Sequence, residues 1–125
     1  MQVVLQDGIK DCGVCCLLSI IKHYGGSVSK EYLRELTNTT KEGVSLYNLQ
    51  EGAKKLGFDA IALSGKIEDI EVNNLPCIAH IIVNKSYKHF IVIYQINKEK
   101  QLLTLMDPAK GKKTISFKEF NLLSS

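Results

Sequence analysis

The chain holds 125 residues, 45% of them hydrophobic and 23% charged, with a formal net charge of +3; this fits one globular domain with a core of its own. The charge excess is small and the lysines are scattered, which argues against a nucleic-acid surface. No run approaches the roughly 20 apolar residues of a membrane span, and "QVVLQDG" after Met1 lacks the basic start and long apolar stretch of a signal peptide, so a soluble chain with reduced cysteines is expected.

In chain order, the N-terminal half reads helical. "DCGVCCLLSIIKHYGG" opens on Asp11 as N-cap candidate and stops at Gly25-Gly26, with Cys16, Leu17, Ile20, Ile21 and Tyr24 spaced as a buried helical stripe. "SKEYLRELT" is a short amphipathic helix capped by Ser29. "SLYNLQEGAKKLG" is another, from Ser45 to Gly57, with Leu46, Leu49, Ala53 and Leu56 on one face. The rest reads as strands: "FDAIAL", then "PCIAHIIVN" and "HFIVIYQI" separated by the polar "KSYK", then "QLLTLMD" after the turn-like "NKEK". "DPAKGKK" is a loop, "TIS" a last short strand and "SFKEFNLL" a short helix. Helices first and antiparallel strands later make an α+β domain.

"LQDGIKDCGVCC" crowds Cys12, Cys15 and Cys16 beside Asp11. A redox Cys12-x-x-Cys15 pair is disfavoured, because a thioredoxin-like site needs a preceding strand and a βαβ context. A zinc site combining that pair with Cys77-x-x-His80 is disfavoured too, because residues three apart on a strand face opposite ways; His80 reads as a hydrogen-bonded histidine of the sheet. A nucleophile at Cys12 fits best. It stands at the first turn of the helix, where free N–H groups and the helix dipole favour a thiolate, while Cys15 and Cys16 read as packing.

A cysteine nucleophile needs a base, and the base an orienter. His23 ends the same helix, about 16 Å away at the usual rise per residue, which leaves His80 and His89. His89 opens the strand "HFIVIYQI", and Asp107 closes the strand paired with it, so the two are neighbours across the hairpin. An odd connection puts both on one face with Ile91, Ile93, Leu103 and Leu105; an even one separates them, and the register stays open. Gln6, in the loop before the helix, is a candidate oxyanion donor beside the Cys12 N–H.

With these residues in place, "QDGIKDCGVCC" resembles the cysteine box of the bacteriocin-processing double-glycine leader peptidases: Gln, four residues, an acid, Cys, Gly, any residue, a small residue, Cys. "KHFIVIY" resembles their histidine box and "MDPAKG" their Asp-Pro box, in the right order over essentially the whole chain. The resemblance implies a papain-like fold and a cytosolic N-terminal peptidase domain of an ABC exporter, here residues 1–125 as a single domain, excised or free-standing. It implies cleavage of a bacteriocin or lanthipeptide-type precursor after a Gly-Gly or Gly-Ala pair, coupled to export. Cys12 would be the nucleophile, His89 the base and acid, Asp107 its orienter and Gln6 the oxyanion donor, with no metal or cofactor. The implied partners are a helical leader with an apolar face and the exporter's transmembrane and nucleotide-binding parts, at the cytoplasmic face of the bacterial membrane. The alternative is a non-catalytic leader-binding domain, against which the full Cys-His-Asp-Gln set argues.

Overall fold

The computed structural model describes residues 1–62, 65–83 and 87–123. Helices α1 (Cys12–His23), α2 (Lys30–Leu36) and α3 (Leu46–Lys55) precede strands β1 (Cys77–Val83), β2 (Tyr87–Asn97), β3 (Leu102–Asp107) and β4 (Gly111–Ser116), and α4 (Phe117–Leu123) follows. The strands form an antiparallel sheet in the order β1-β2-β3-β4, so the α+β arrangement expected from the sequence is the one found.

Local chemistry sets the helix ends. The Ser29 and Ser45 hydroxyls accept from the N–H groups of Tyr32 at 3.1 Å and Asn48 at 3.0 Å, each satisfying a donor that the first turn leaves open. Gly25 takes φ 88° just after α1, a conformation that costs glycine little and ends the helix there. Asp11 departs from the expectation: it stands at the N-cap position but makes no capping bond. Its carboxylate is taken instead by Arg34 of α2.

Both sheet faces are covered. One carries Phe90, Val92 and Met106 against α1, α2 and α3; the other carries Ile91, Ile93, Leu103, Leu105 and Ile115 against Ile67, Phe117 and Phe120. Strands buried on both faces lose the apolar/polar alternation, which explains the unbroken "FIVIY". The second cover, from α4 and the 3-10 turn Ile67–Asp69, was not foreseen as a layer.

Four expectations are corrected. "FDAIAL" forms no strand over residues 58–62, and Leu63 lies outside the described residues; Ile61 is exposed, and the Ala62 N–H finds the Gln50 side chain at 2.7 Å in place of a strand partner. Tyr24 and Leu46 are exposed, because α1 and α3 turn their outermost stripe positions past the edge of the core. Of the "KSYK" connection, Tyr87 and Lys88 already belong to β2, and residues 84–86 lie outside the described residues. The final strand is longer than "TIS": pairing with β3 begins at Gly111 and takes in half of the expected "DPAKGKK" loop.

Candidate active site

Cys12 is the first residue of α1 and 5% exposed. The helix lies on the β2 face, and its closeness there depends on Gly13, where a Cβ would run into Val44 and press on Phe90. A side chain at position 13 would therefore lift the first turn, and Cys12 with it, away from the sheet. His89, near the start of β2 and 2% exposed, is hydrogen-bonded to Cys12. On its far side, His89 Nε2 is 2.7 Å from Asp107 Oδ1, which leaves Nδ1 to face the sulfur. The same carboxylate oxygen accepts from the Ala109 N–H at 2.8 Å, so the turn after Asp107 fixes the orienter before the orienter fixes the ring.

His89 and Asp107 share a face because of a register shift. The connection between β2 and β3 is the even 98–101, with Asn97 opposite Leu102 and Gln95 opposite Thr104. Carried on unbroken, that register would set Asp107 opposite Val92, on the face away from His89. A shift between Ile93 and Gln95 restores Ile93 opposite Leu105 and Val92 opposite Met106, which brings Asp107 opposite Ile91 and onto the face of His89. A bulge of this kind places one extra residue on one strand and reverses every later side chain relative to its partner.

The electrostatics follow from these contacts. Burial opposes charge on His89, yet the bonds to Asp107 and Cys12 outweigh it and raise its pKa to about 9. Burial pushes the Asp107 carboxyl up, but its bonds to His89 and the Ala109 N–H hold it below the ordinary value. Burial pushes the Cys15 thiol up to about 11 and Cys16 well above the ordinary value, so both stay protonated thiols at neutral pH.

The Gln6 N–H donates to the Pro108 carbonyl at 2.8 Å, which ties the loop before α1 to the turn after Asp107 and carries Gln6 to the same corner. Its side-chain oxygen, an acceptor, is buried without a hydrogen-bond partner among the described residues. His80 stacks on Phe90, ring centroids 4.4 Å apart, while Cys77 packs on the opposite face; the expected hydrogen-bonded sheet histidine is a stacked one. Neither His80 nor His23, which packs against Tyr24 and Tyr94, joins the chain from Cys12 to Asp107. No group of three or more His, Cys, Asp and Glu among the described residues is disposed to hold a metal ion.

Sequence reasoning missed Gly13, Arg34 and the Pro108 carbonyl. Arg34 had a signal: Asp11, beside a buried stripe, needed a cationic partner, and Arg34 is the chain's only arginine.

Comparison with known proteins gives the family and the fold. The family model described as "Peptidase C39 family" matches residues 1–123. The chain is 40% identical over 119 residues to the lactococcin-G-processing and transport ATP-binding protein LagD of Lactococcus lactis subsp. lactis, covering 92% of this chain but 17% of that protein. Among solved structures it resembles the peptidase domain of Streptococcus ComA, a bi-functional ABC transporter involved in a quorum-sensing pathway, with a TM-score of 0.87 at 33% identity over 98% of this chain and 90% of that one. The fold also matches a double-glycine-motif protease from an AMS/PCAT transporter, solved in complex with the leader peptide, with a TM-score of 0.80 at 24% identity over 98% of this chain and 84% of that one.

Proposed function

The chain belongs to the peptidase C39 family of cysteine peptidases, and from that membership we propose that it removes the leader of a bacteriocin-type precursor by cutting after a Gly-Gly or Gly-Ala pair, coupled to export. The observation that carries the reading is the hydrogen-bonded chain Cys12–His89–Asp107. A pure docking module would need no such relay. The chain spans about a sixth of LagD. Its place as one peptidase domain of an ABC exporter, working with transmembrane and nucleotide-binding parts at the cytoplasmic membrane face, belongs to the same proposal. No helix among the described residues is long and apolar enough to cross a membrane.

The chemistry divides among these residues. The Cys12 sulfur, its proton held by His89, attacks the carbonyl carbon of the residue before the cut. The negative oxygen is met by the Cys12 N–H and the Gln6 amide. The tetrahedral intermediate collapses, the C–N bond breaks, and His89 gives its proton to the leaving amine. Water then attacks the thioester, His89 takes the water's proton, the C–S bond breaks, and the leader leaves as a carboxylic acid. Asp107 holds the ring in place and stabilises its charge throughout.

Incubation with a synthetic precursor peptide carrying a double-glycine leader, read by mass spectrometry, tests the reading. A single cut after the second glycine is expected, and an intact peptide bound without turnover would make the chain a docking domain. Gln6→Ala is expected to lower kcat by about 10²–10³, the usual cost of one oxyanion donor, with KM little changed because the amide acts on charge formed in the transition state. A change confined to KM would make Gln6 a substrate-binding residue instead.

Specificity should follow from backbone bulk. A Gly-Gly or Gly-Ala pair passes an extended chain close over a buried sulfur, where a side chain bulkier than a methyl group meets the wall. Valine at either glycine is therefore expected to lower kcat/KM by about 100-fold or more. A peptide series assayed under kcat/KM conditions checks this; equal cleavage of the valine peptides would point to a general peptidase.

A further inference from the structure

Arg34 sits against the residue that precedes Cys12. Its Nε and Nη2 donate to the two carboxylate oxygens of Asp11 at 2.8 and 2.7 Å, and Asp11 is 1% exposed. Asp11 does not cap α1, so helix termination does not account for burying a carboxylate there. One turn earlier on α2, Lys30 Nζ donates to the Leu5 carbonyl at 2.8 Å and meets the Asp7 carboxylate at 3.4 Å, on either side of Gln6. Residues four apart share a helix face, so this face of α2 grips the 5–11 segment at both ends. The two ties differ in strength. In the Lys30–Asp7 pair the carboxylate is largely open to solvent, its side chain 78% exposed, and the pair contributes little. The Arg34 fork is bidentate to a buried partner, which fixes direction as well as distance.

We propose that Arg34 is a positioning residue for the peptidase reaction: through Asp11 it fixes the first turn of α1, so that the Cys12 sulfur stays at His89 and Gln6 faces the same point. Lys30 is the weaker second tie. The inference rests on the reading of Cys12 and Gln6 given above. The Arg34 bond to Asp11 also holds that carboxyl below its ordinary pKa against the opposing effect of burial, so the pair stays charged at neutral pH.

The test compares Arg34→Gln, Arg34→Lys, Lys30→Met and Cys12→Ala with the wild-type chain. The readouts are kcat and KM on a double-glycine leader peptide, the pH profile of Cys12 alkylation by iodoacetamide, and the melting temperature. Misplacement of a reacting group by about 1 Å costs on the order of 100-fold, so Arg34→Gln is expected to lose about 10- to 100-fold in kcat with KM within about 2-fold, and to show slower alkylation with an altered pH profile. Arg34→Lys, which keeps the charge and loses the fork, is expected to recover most of the melting temperature but not kcat. Lys30→Met should change kcat only a few-fold. A folded Arg34→Gln chain with wild-type kcat and alkylation profile overturns the proposal, as does a change confined to KM or an Arg34→Lys chain with wild-type kcat. If Arg34→Gln does not fold, Arg34→Lys decides; loss of the fold in both makes Arg34 a purely structural tie and overturns it as well. A Cys12→Ala chain that still cleaves refutes the assignment of Cys12 itself, a failure distinct from that of Arg34.

Discussion

Cleavage of a double-glycine leader peptide is expected to vanish in a Cys12→Ala chain that still folds. Removing a covalent nucleophile from a comparable relay costs about 10⁶-fold in kcat, below the floor of a peptide assay. The fold should tolerate the change, because trimming one sulfur opens only a small cavity, a destabilisation of about 1 kcal/mol. The other two thiols of the cluster set the contrast. Cys15 and Cys16 are fully buried in the α1 core, and burial keeps their thiols protonated. Cys15→Ala and Cys16→Ala chains should keep kcat and lose some thermal stability. Mass spectrometry of the peptide together with thermal melts of all three variants separates chemistry from packing. Turnover surviving in Cys12→Ala would end the peptidase reading of this site.

The fold class and the place of Cys12 at the head of α1 were legible because each rests on local chemistry. The apolar stripe of α1 and the serine caps of α2 and α3 follow from periodicity and side-chain oxygens within a few residues. Cys12 stood out by its place at a helix start, and Asp107 by standing at the end of a strand paired with that of His89. What was not legible depends on distant partners. The bulge between Ile93 and Gln95 leaves no mark in "HFIVIYQI", since apolar residues occupy both faces of a sheet covered on both sides. The sequence therefore left the register open, and the structure joins His89 to Asp107 across an even turn only by way of that bulge. Asp11 read as a cap because short-range rules favour one before a helix. Its true partner, Arg34, lies 23 residues further on. The strand expected in "FDAIAL" failed for the reverse reason: its composition suits a strand, but among the described residues no ladder partner reaches 58–62.

His89→Ala is expected to cut kcat by about 10⁴-fold or more, since it removes both the base for Cys12 and the acid for the leaving amine. Asp107→Asn should fall short of that: the ring remains, but its orientation and the stabilisation of its charge are weakened. His80→Ala should leave kcat close to wild type, because His80 stacks on Phe90 outside the relay. A dead His80→Ala chain beside an active His89→Ala chain would reassign the base. The same histidine predicts a pH signature in stability. Its pKa stands at about 9 in the fold against 6.5 ordinarily, so the charged ring contributes fully below about pH 6.5, and that contribution is lost as pH rises through 9. Denaturant melts across that window should show the wild-type chain weakening and the His89→Ala chain lacking this component of the decline; parallel curves would mean that the charged ring is not held by Asp107 and Cys12.

The shift between β2 and β3 makes the strand pair behave like a reading frame. A residue added to the 98–101 turn can be absorbed outside the ladder at the far end of the hairpin. A residue removed between Ile93 and Gln95 instead changes the phase of everything from there back to His89, pointing the histidine and the aspartate into opposite layers of the molecule while leaving every side chain of the relay intact. Two chains could thus share the same cysteine, histidine and aspartate in the same order and differ wholly in competence. What descent must preserve in this hairpin is the count between two positions as much as the residues at either one.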